Sequence, residues 1–227
     1  MFAQIKKLFT RNQFKTPGGY HIADPRPLAR DNPYTFQMPS AAELLVLAPG
    51  NAVKLIFDAV PASEEAGPER MWVTILSRDG HRFSGRLENE PFHIPGLTQG
   101  DILTFESHQI IAIYWEDEEV RDQFDDGQDI WFARARVDPR ITEDGLPVRF
   151  LFREQPAKLE GSAYPDTGWR LCADEHADLD AIDAPFMAIG VVLNRDDSFL
   201  ELLSAKPGQA FQRPPDATGF LPITLQG

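Results

Sequence analysis

Met71-Trp72-Val73-Thr74-Ile75-Leu76-Ser77-Arg78-Asp79-Gly80-His81-Arg82-Phe83-Ser84-Gly85-Arg86-Leu87 is two β-type runs around one turn. Trp, Val, Thr and Ile favour a pleated, half-buried surface. Asp79-Gly80 supplies the residue pair that accepts positive φ in a tight hairpin. Gly85, inside the returning run, marks a bulge or a point where another backbone comes close. This stretch predicts an antiparallel hairpin, and its neighbours extend it. Val53, Leu55 and Phe57 alternate with Lys54, Ile56 and Asp58, and Ile102 to Glu106 and Ile110 to Trp115 supply two further strands. Together they predict a small, strongly bent or barrel-like antiparallel sheet.

Upstream, Ser40-x-x-Glu43 is a capping box, in which hydroxyl and carboxylate satisfy the first free N–H groups of a helix running through Leu44, Leu45 and Leu47. Residues 1–38 hold six Lys or Arg against two Asp or Glu, and Pro17-Gly18-Gly19, Pro25, Pro27 and Pro33 interrupt them. They read as a basic extension whose Lys6 and Lys7, beside Phe2, Ile5 and Phe9, form a short amphipathic helix that docks or frays. Downstream, Val148 to Phe152, Gly168 to Cys172 and Phe186 to Leu193 read as strands, Pro156 to Pro165 as a linker, and Ser198 to Ala205 as a short helix. The expected architecture is α+β and mostly antiparallel β. An N-terminal extension (1–38) precedes a β-rich domain (39–137) and a small α+β domain (138–227).

At 227 residues, with 42% hydrophobic residues and 16 Phe, the chain has material for one large core or two small ones. Net charge is −13; since residues 1–38 carry +4, residues 39–227 carry −17. A body so acidic repels phosphate backbones, which argues against nucleic acid as a partner and for a basic one. The single cysteine, Cys172, excludes an intrachain disulfide and fits a reducing compartment. No apolar run has signal-peptide or membrane-spanning length, so a cytoplasmic protein is expected.

The acid is concentrated. From Trp115 to Trp131 lie eight carboxylates, Glu116, Asp117, Glu118, Glu119, Asp122, Asp125, Asp126 and Asp129, with Arg121 as the one opposing charge. A second acidic segment runs from Asp174 to Asp183 and includes Glu175 and Asp178. Catalytic chemistry finds little support. The five histidines are scattered, one cysteine cannot build a cysteine-based zinc site, and no phosphate loop or nucleophile elbow occurs. Asp174, Glu175, His176, Asp178 and Asp180 lack the spacing and glycine of a calcium loop. Cys172 reads as a plain strand cysteine. No cofactor and no metal are expected.

Two resemblances attach to these residues. Met71-Trp72-Val73, Asp79-Gly80, Gly85-Arg86-Leu87-Glu88-Asn89-Glu90-Pro91, Ile94-Pro95-Gly96-Leu97, Gly100-Asp101 and Phe105 resemble a small bacterial β domain of unknown function, the DUF 2314 family, over about residues 50–113. Thr167-Gly168-Trp169-Arg170, Asp174-Glu175, Ile189 to Asn194, Asp196-Asp197-Ser198 and Leu202-Leu203 resemble the immunity protein 33 family (DUF 2185) over about residues 160–213. Ala173 stands where that family's pattern has a glycine. The resemblance implies a non-catalytic protein of polymorphic toxin systems that neutralises a cognate toxin. A basic toxin would be steered by the acidic residues, with Trp115, and also Trp131, as aromatic anchors. The competing expectation is an enzyme or small-molecule binder with a pocket on the first β domain near His93.

Overall fold

The computed structural model describes residues 19–62, 67–124 and 127–224. The amphipathic stretch expected around Lys6 and Lys7 lies outside them. The chain divides into two compact units, one of residues 1–26 and 38–121, the other of residues 27–37 and 122–227.

The first unit is an antiparallel, nearly closed, barrel-like sheet of β1 (Gly19–Ile22), β2 (Ala52–Val60), β3 (Glu69–Asp79), β4 (Arg82–Leu87), β5 (Ile102–Glu106) and β6 (Ala112–Tyr114). β2 is its spine. One edge pairs along β3, while the other takes β6 at Ala52–Lys54 and β1 at Phe57–Val60. Alternation sends Val53, Leu55, Phe57, Val73, Ile75, Phe83 and Phe105 inward, and the last two rings stack at 5.5 Å. Each such side chain contributes about 1.5–3 kcal/mol by leaving water. The hairpin turns at Gly80 (φ +59°), with Asp79 and Arg82 already paired.

Gly85 is the point of close approach, and the bulge lies on the facing strand. The register slips between Ile75 and Ser77, so Leu76 is the extra, outward residue of a bulge. A Cβ at Gly85 would meet Val73 Cγ1 at 2.5 Å and the Thr74 carbonyl oxygen at 2.8 Å.

Between β1 and β2 the chain forms α1 (Arg26–Asp31) and α2 (Ala41–Val46). The capping box of α2 is complete: Glu43 N–H donates to Ser40 Oγ at 3.2 Å, and Ser40 N–H donates to Glu43 Oε2 at 2.7 Å.

In the second unit, β7 (Arg134–Val137), β8 (Phe150–Arg153), β9 (Asp166–Cys172), β10 (Phe186–Ala188), β11 (Ala210–Gln212) and β12 (Leu221–Ile223) form a sheet in the order β10-β7-β9-β8-β11-β12. β7 and β9 run parallel and the remaining pairs antiparallel. One face carries Val137, Leu151, Trp169, Leu171 and Phe211 under Ile189, Val192 and Phe199. The opposite face holds Phe150, Cys172 and Ala210 against Leu179 of the second acidic segment and Ala184 just after it.

Four expectations change here. Phe186 to Leu193 is not one strand. β10 stops at Ala188 and α5 (Ile189–Leu193) begins, because Ile189, Val192 and Leu193 share the helical face that seals the sheet. The segment Ile130 to Val137, β-type in sequence, is strand only from Arg134, and a 3₁₀ turn spans Gln128–Phe132. Pro156 to Pro165 joins β8 to β9, neighbours in one sheet. The helix expected over Ser198 to Ala205 is a 3₁₀ turn, Leu200–Ser204, with Phe199 fully buried beside it.

Candidate partner interface

The first acidic stretch carries the chain out of one unit and into the other, the division falling between Arg121 and Asp122. Trp115 is half-buried against the core of the first unit. Glu116, Asp117, Glu118, Glu119 and Asp122 are exposed. They surround α3 (Glu118–Asp122), whose start is fixed by Glu119 N–H donating to Asp117 Oδ1 at 2.9 Å. Arg121 reaches Glu118 at 3.7 Å, a solvent-exposed pair of small energetic value. Asp125 and Asp126 lie outside the described residues, and Asp129 is placed by its backbone alone, on the Gln128–Phe132 turn. Trp131 packs on the core of the second unit, edge-on to Tyr34 at 5.3 Å. Each tryptophan thus serves its own unit's core.

The second acidic segment is held from beneath. Asp138 is fully buried; it caps α4 (Pro139–Thr142) and accepts from Arg140 Nη2 at 2.6 Å and from Ala173 N–H at 3.2 Å. Burial works against its charge, but the bonds from Arg140 and the Ala173 amide outweigh it and hold the carboxyl below the usual range. Arg140 reaches on to Asp174 Oδ2 at 2.8 Å. The bond from His176 N–H, aided by Arg140, also lowers the Asp174 pKa.

Further along, Arg136 donates to the Leu179 carbonyl at 2.8 Å, to the Ala184 carbonyl at 3.0 Å, and to Asp180. Asp178 caps a turn through the amides of Asp180 and Ala181. Asp183 sits at φ +46°, a conformation that costs a non-glycine residue free energy. The result is an ordered loop with Glu175, Asp178 and Asp183 outward.

Much of the immunity-like pattern is structural. Gly168 (φ +80°) has no room for a Cβ, which would sit 2.3 Å from the Glu154 carbonyl oxygen. Trp169 is core. Arg170 is buried, forks onto both oxygens of buried Asp166 at 3.1 Å, and reaches Glu154 at 2.8 Å. Asp196 accepts from Arg213 at 2.7 Å and from Val148 N–H at 3.2 Å. Cys172 is inaccessible, and burial, with Asp138 and Asp174 nearby, pushes its thiol up to about 12. No thiolate nucleophile forms there at neutral pH. Among the described residues no three His, Cys, Asp or Glu side chains converge to hold a metal ion.

His93 is exposed at a loop tip, its N–H on Glu69 Oε1. Two open depressions of the first unit lie elsewhere: one of about 280 Å³ along Asp79, His81, Arg82 and Glu106, another of about 370 Å³ along Arg82, Thr104, Glu106, His108 and Gln109.

Two features escape a reading of the sequence. The loop from Glu88 to Asp101 is pinned by Asn89 to the Trp72 amide and by buried Pro91, Ile94 and Leu97, yet it presents Phe92 67% exposed, edge-on to His93. Residues 27–37, read as extension, belong to the second unit. No membrane-spanning helix occurs among the described residues.

Residues 136–223 match the family model of the immunity protein Imm33 domain, and residues 43–122 match that of an uncharacterised protein conserved in bacteria, DUF2314. The matches fall on the two stretches where the resemblances lie, and the first supports a bacterial immunity role. No curated protein and no solved structure matches the chain.

Proposed function

We propose that this chain is a bacterial immunity protein that binds and neutralises a cognate basic toxin through its acidic segments, without catalysis, in the cytoplasm. The observation that carries the reading is the Imm33 match over a unit whose acidic loop is held outward by Arg136 and Arg140. Nuclease-type toxins act on anionic substrates and tend to be basic, so an acidic inhibitor is steered to them and held by paired charge. Glu116 to Asp129 adds a second source of the same field, with Trp115, Asp174, Glu175 and Asp178 at its contacts.

Affinity capture from a lysate of the source organism, at low and high salt, tests the reading. The expected result is one stoichiometric basic protein that arrests growth when expressed alone and is harmless when co-expressed with this chain. A captured protein that is not toxic, or whose toxicity this chain leaves unchanged, overturns it. Changing Asp117, Glu118, Asp122 and Asp125 to Asn or Gln is expected to slow association by about tenfold at low salt. Unchanged association removes the first stretch from the interface.

A further inference from the structure

Residues Asn32 to Phe36 form a turn that their own sequence encodes: the Asn32 carbonyl accepts from Thr35 N–H at 3.2 Å and from Phe36 N–H at 2.9 Å, with Pro33 in the second position. Such a turn leaves the Tyr34 N–H facing outward. Asn194, which follows α5, meets it. Its Oδ1 accepts from Tyr34 N–H at 2.9 Å while its Nδ2 donates to Thr35 Oγ1, so one amide reads two consecutive residues.

Asp197 accepts from the Tyr34 hydroxyl at 3.2 Å, and Trp131 stands edge-on to the ring with an interplanar angle of 82°. Gly190 forms the floor. A Cβ there would lie 2.9 Å from the Tyr34 carbonyl oxygen and 3.1 Å from Thr35 Cγ2, so a side chain at this position would push the turn away. Gly190, Asn194 and Asp197 fall inside the Imm33-matched segment; the turn they hold lies far outside it, 160 residues from Asn194. The groove is therefore complete within the matched domain and Trp131, and what fills it arrives from elsewhere in the chain.

We infer that Trp131, Gly190, Asn194 and Asp197 form a peptide-recognition groove for an Asn-Pro-Tyr-Thr-type turn, occupied in this protein by its own residues 32–36. The site reads a backbone N–H, a tyrosine ring with its hydroxyl, and a small hydroxyl side chain next to it. It is independent of the toxin-binding reading above, since none of the carboxylates proposed for that interface takes part. The tethered turn competes with any free peptide as an intramolecular ligand.

The test uses the full chain and an acetylated, amidated peptide of residues 27–37 as probe. In the chain carrying Tyr34→Ala and Thr35→Ala, the turn loses its ring, its hydroxyl and the Thr35 Oγ1 contact and keeps only the backbone N–H bond to Asn194, so it holds the groove weakly. The peptide is expected to bind it at least about tenfold more tightly than it binds the unaltered chain. Adding Asn194→Ala should weaken that binding about tenfold, as two hydrogen bonds are lost, and a peptide with alanine in place of its tyrosine should not bind. Equal affinity for altered and unaltered chains, no binding to either, or indifference to Asn194→Ala overturns the inference. Amide hydrogen exchange in the unaltered chain decides the matter without any variant. The Tyr34 amide should be protected, and excess peptide should speed its exchange; a Tyr34 amide that exchanges as freely as an isolated turn also overturns it.

Discussion

Glu116–Asp122 and Asp174–Asp183 each carry five carboxylates, and the fold treats them differently. Within the first, Arg121 is the one basic residue, and its contact with Glu118 is solvent-exposed. The second is met from below by two arginines of β7 and α4, and the carbonyls of Leu179 within it and Ala184 just after it are tied down as firmly as its acids. Composition alone does not distinguish a solvated charge run from a shaped one. What separates them is whether cations of the same domain take up part of the charge and fix the backbone, leaving chosen carboxylates outward. The first segment is charge with little fixed shape; the second has both.

Removing the deepest support should break this contrast most visibly. Asp138→Ala leaves the Ala173 amide without its acceptor and Arg140 without its main one. Breaking a buried ion pair costs about 3–5 kcal/mol, and because Arg140 is 41% exposed we expect about 2–3 kcal/mol, read as a lower urea midpoint. A shift under about 1 kcal/mol would mean that the loop is not held through Asp138.

Acid should act through the same contacts. Asp138, Asp166 and Asp174 have folded pKa values below their ordinary 3.8, so the stability they give is present above that value and is lost as pH falls through the lowered ones. Thermal melts between pH 5 and pH 2 should therefore show the second unit weakening below about pH 4. Flat stability across that range would contradict the assignment.

Arg136→Ala should cost about 1–2 kcal/mol by freeing two carbonyls and Asp180. It should also speed amide exchange in residues 179–184 while leaving residues 116–122 unchanged. Smaller still, Asp183→Gly relieves a left-handed backbone and should add about 0.5 kcal/mol. If Asp183 also meets the partner, affinity falls as stability rises. Least of all, neutralising Asp117, Glu118, Asp122 and Asp125 should move stability by less than about 0.5 kcal/mol. A larger loss would show that the first segment, too, is structural.

Local physics was legible. The capping box at Ser40 and Glu43 and the hairpin at Gly80 each involve residues a few positions apart, and Gly85 announced the crowding at β3 by being a glycine inside a strand pattern. The first sheet follows from these and from period-two alternation. Phe186 to Leu193 was not resolvable, because a short run of apolar residues fits a buried strand and a buried helix equally well. Nor were the arginine clamps: Arg136 meets Asp180 44 residues on, and no spacing rule connects them. Phe92 escaped because exposure of a lone aromatic depends on the loop that carries it. The carboxylates proposed for the interface were visible as composition, whereas their division into shaped and solvated sets required the fold.

The docked turn at Tyr34 has a consequence in time. Its receptor, Asn194, is translated 160 residues later. At about 5–20 residues per second, a ribosome needs roughly 8–30 s to cover that distance. For that interval the early turn exists without its receptor, while β1, encoded before it, and β2 to β6, encoded in between, can already assemble around their own core. The second unit is thus the last to close. A nascent chain stalled shortly before Asn194 would present a finished barrel, an unpaired turn and an open sheet, an order of maturation imposed by where the turn is encoded.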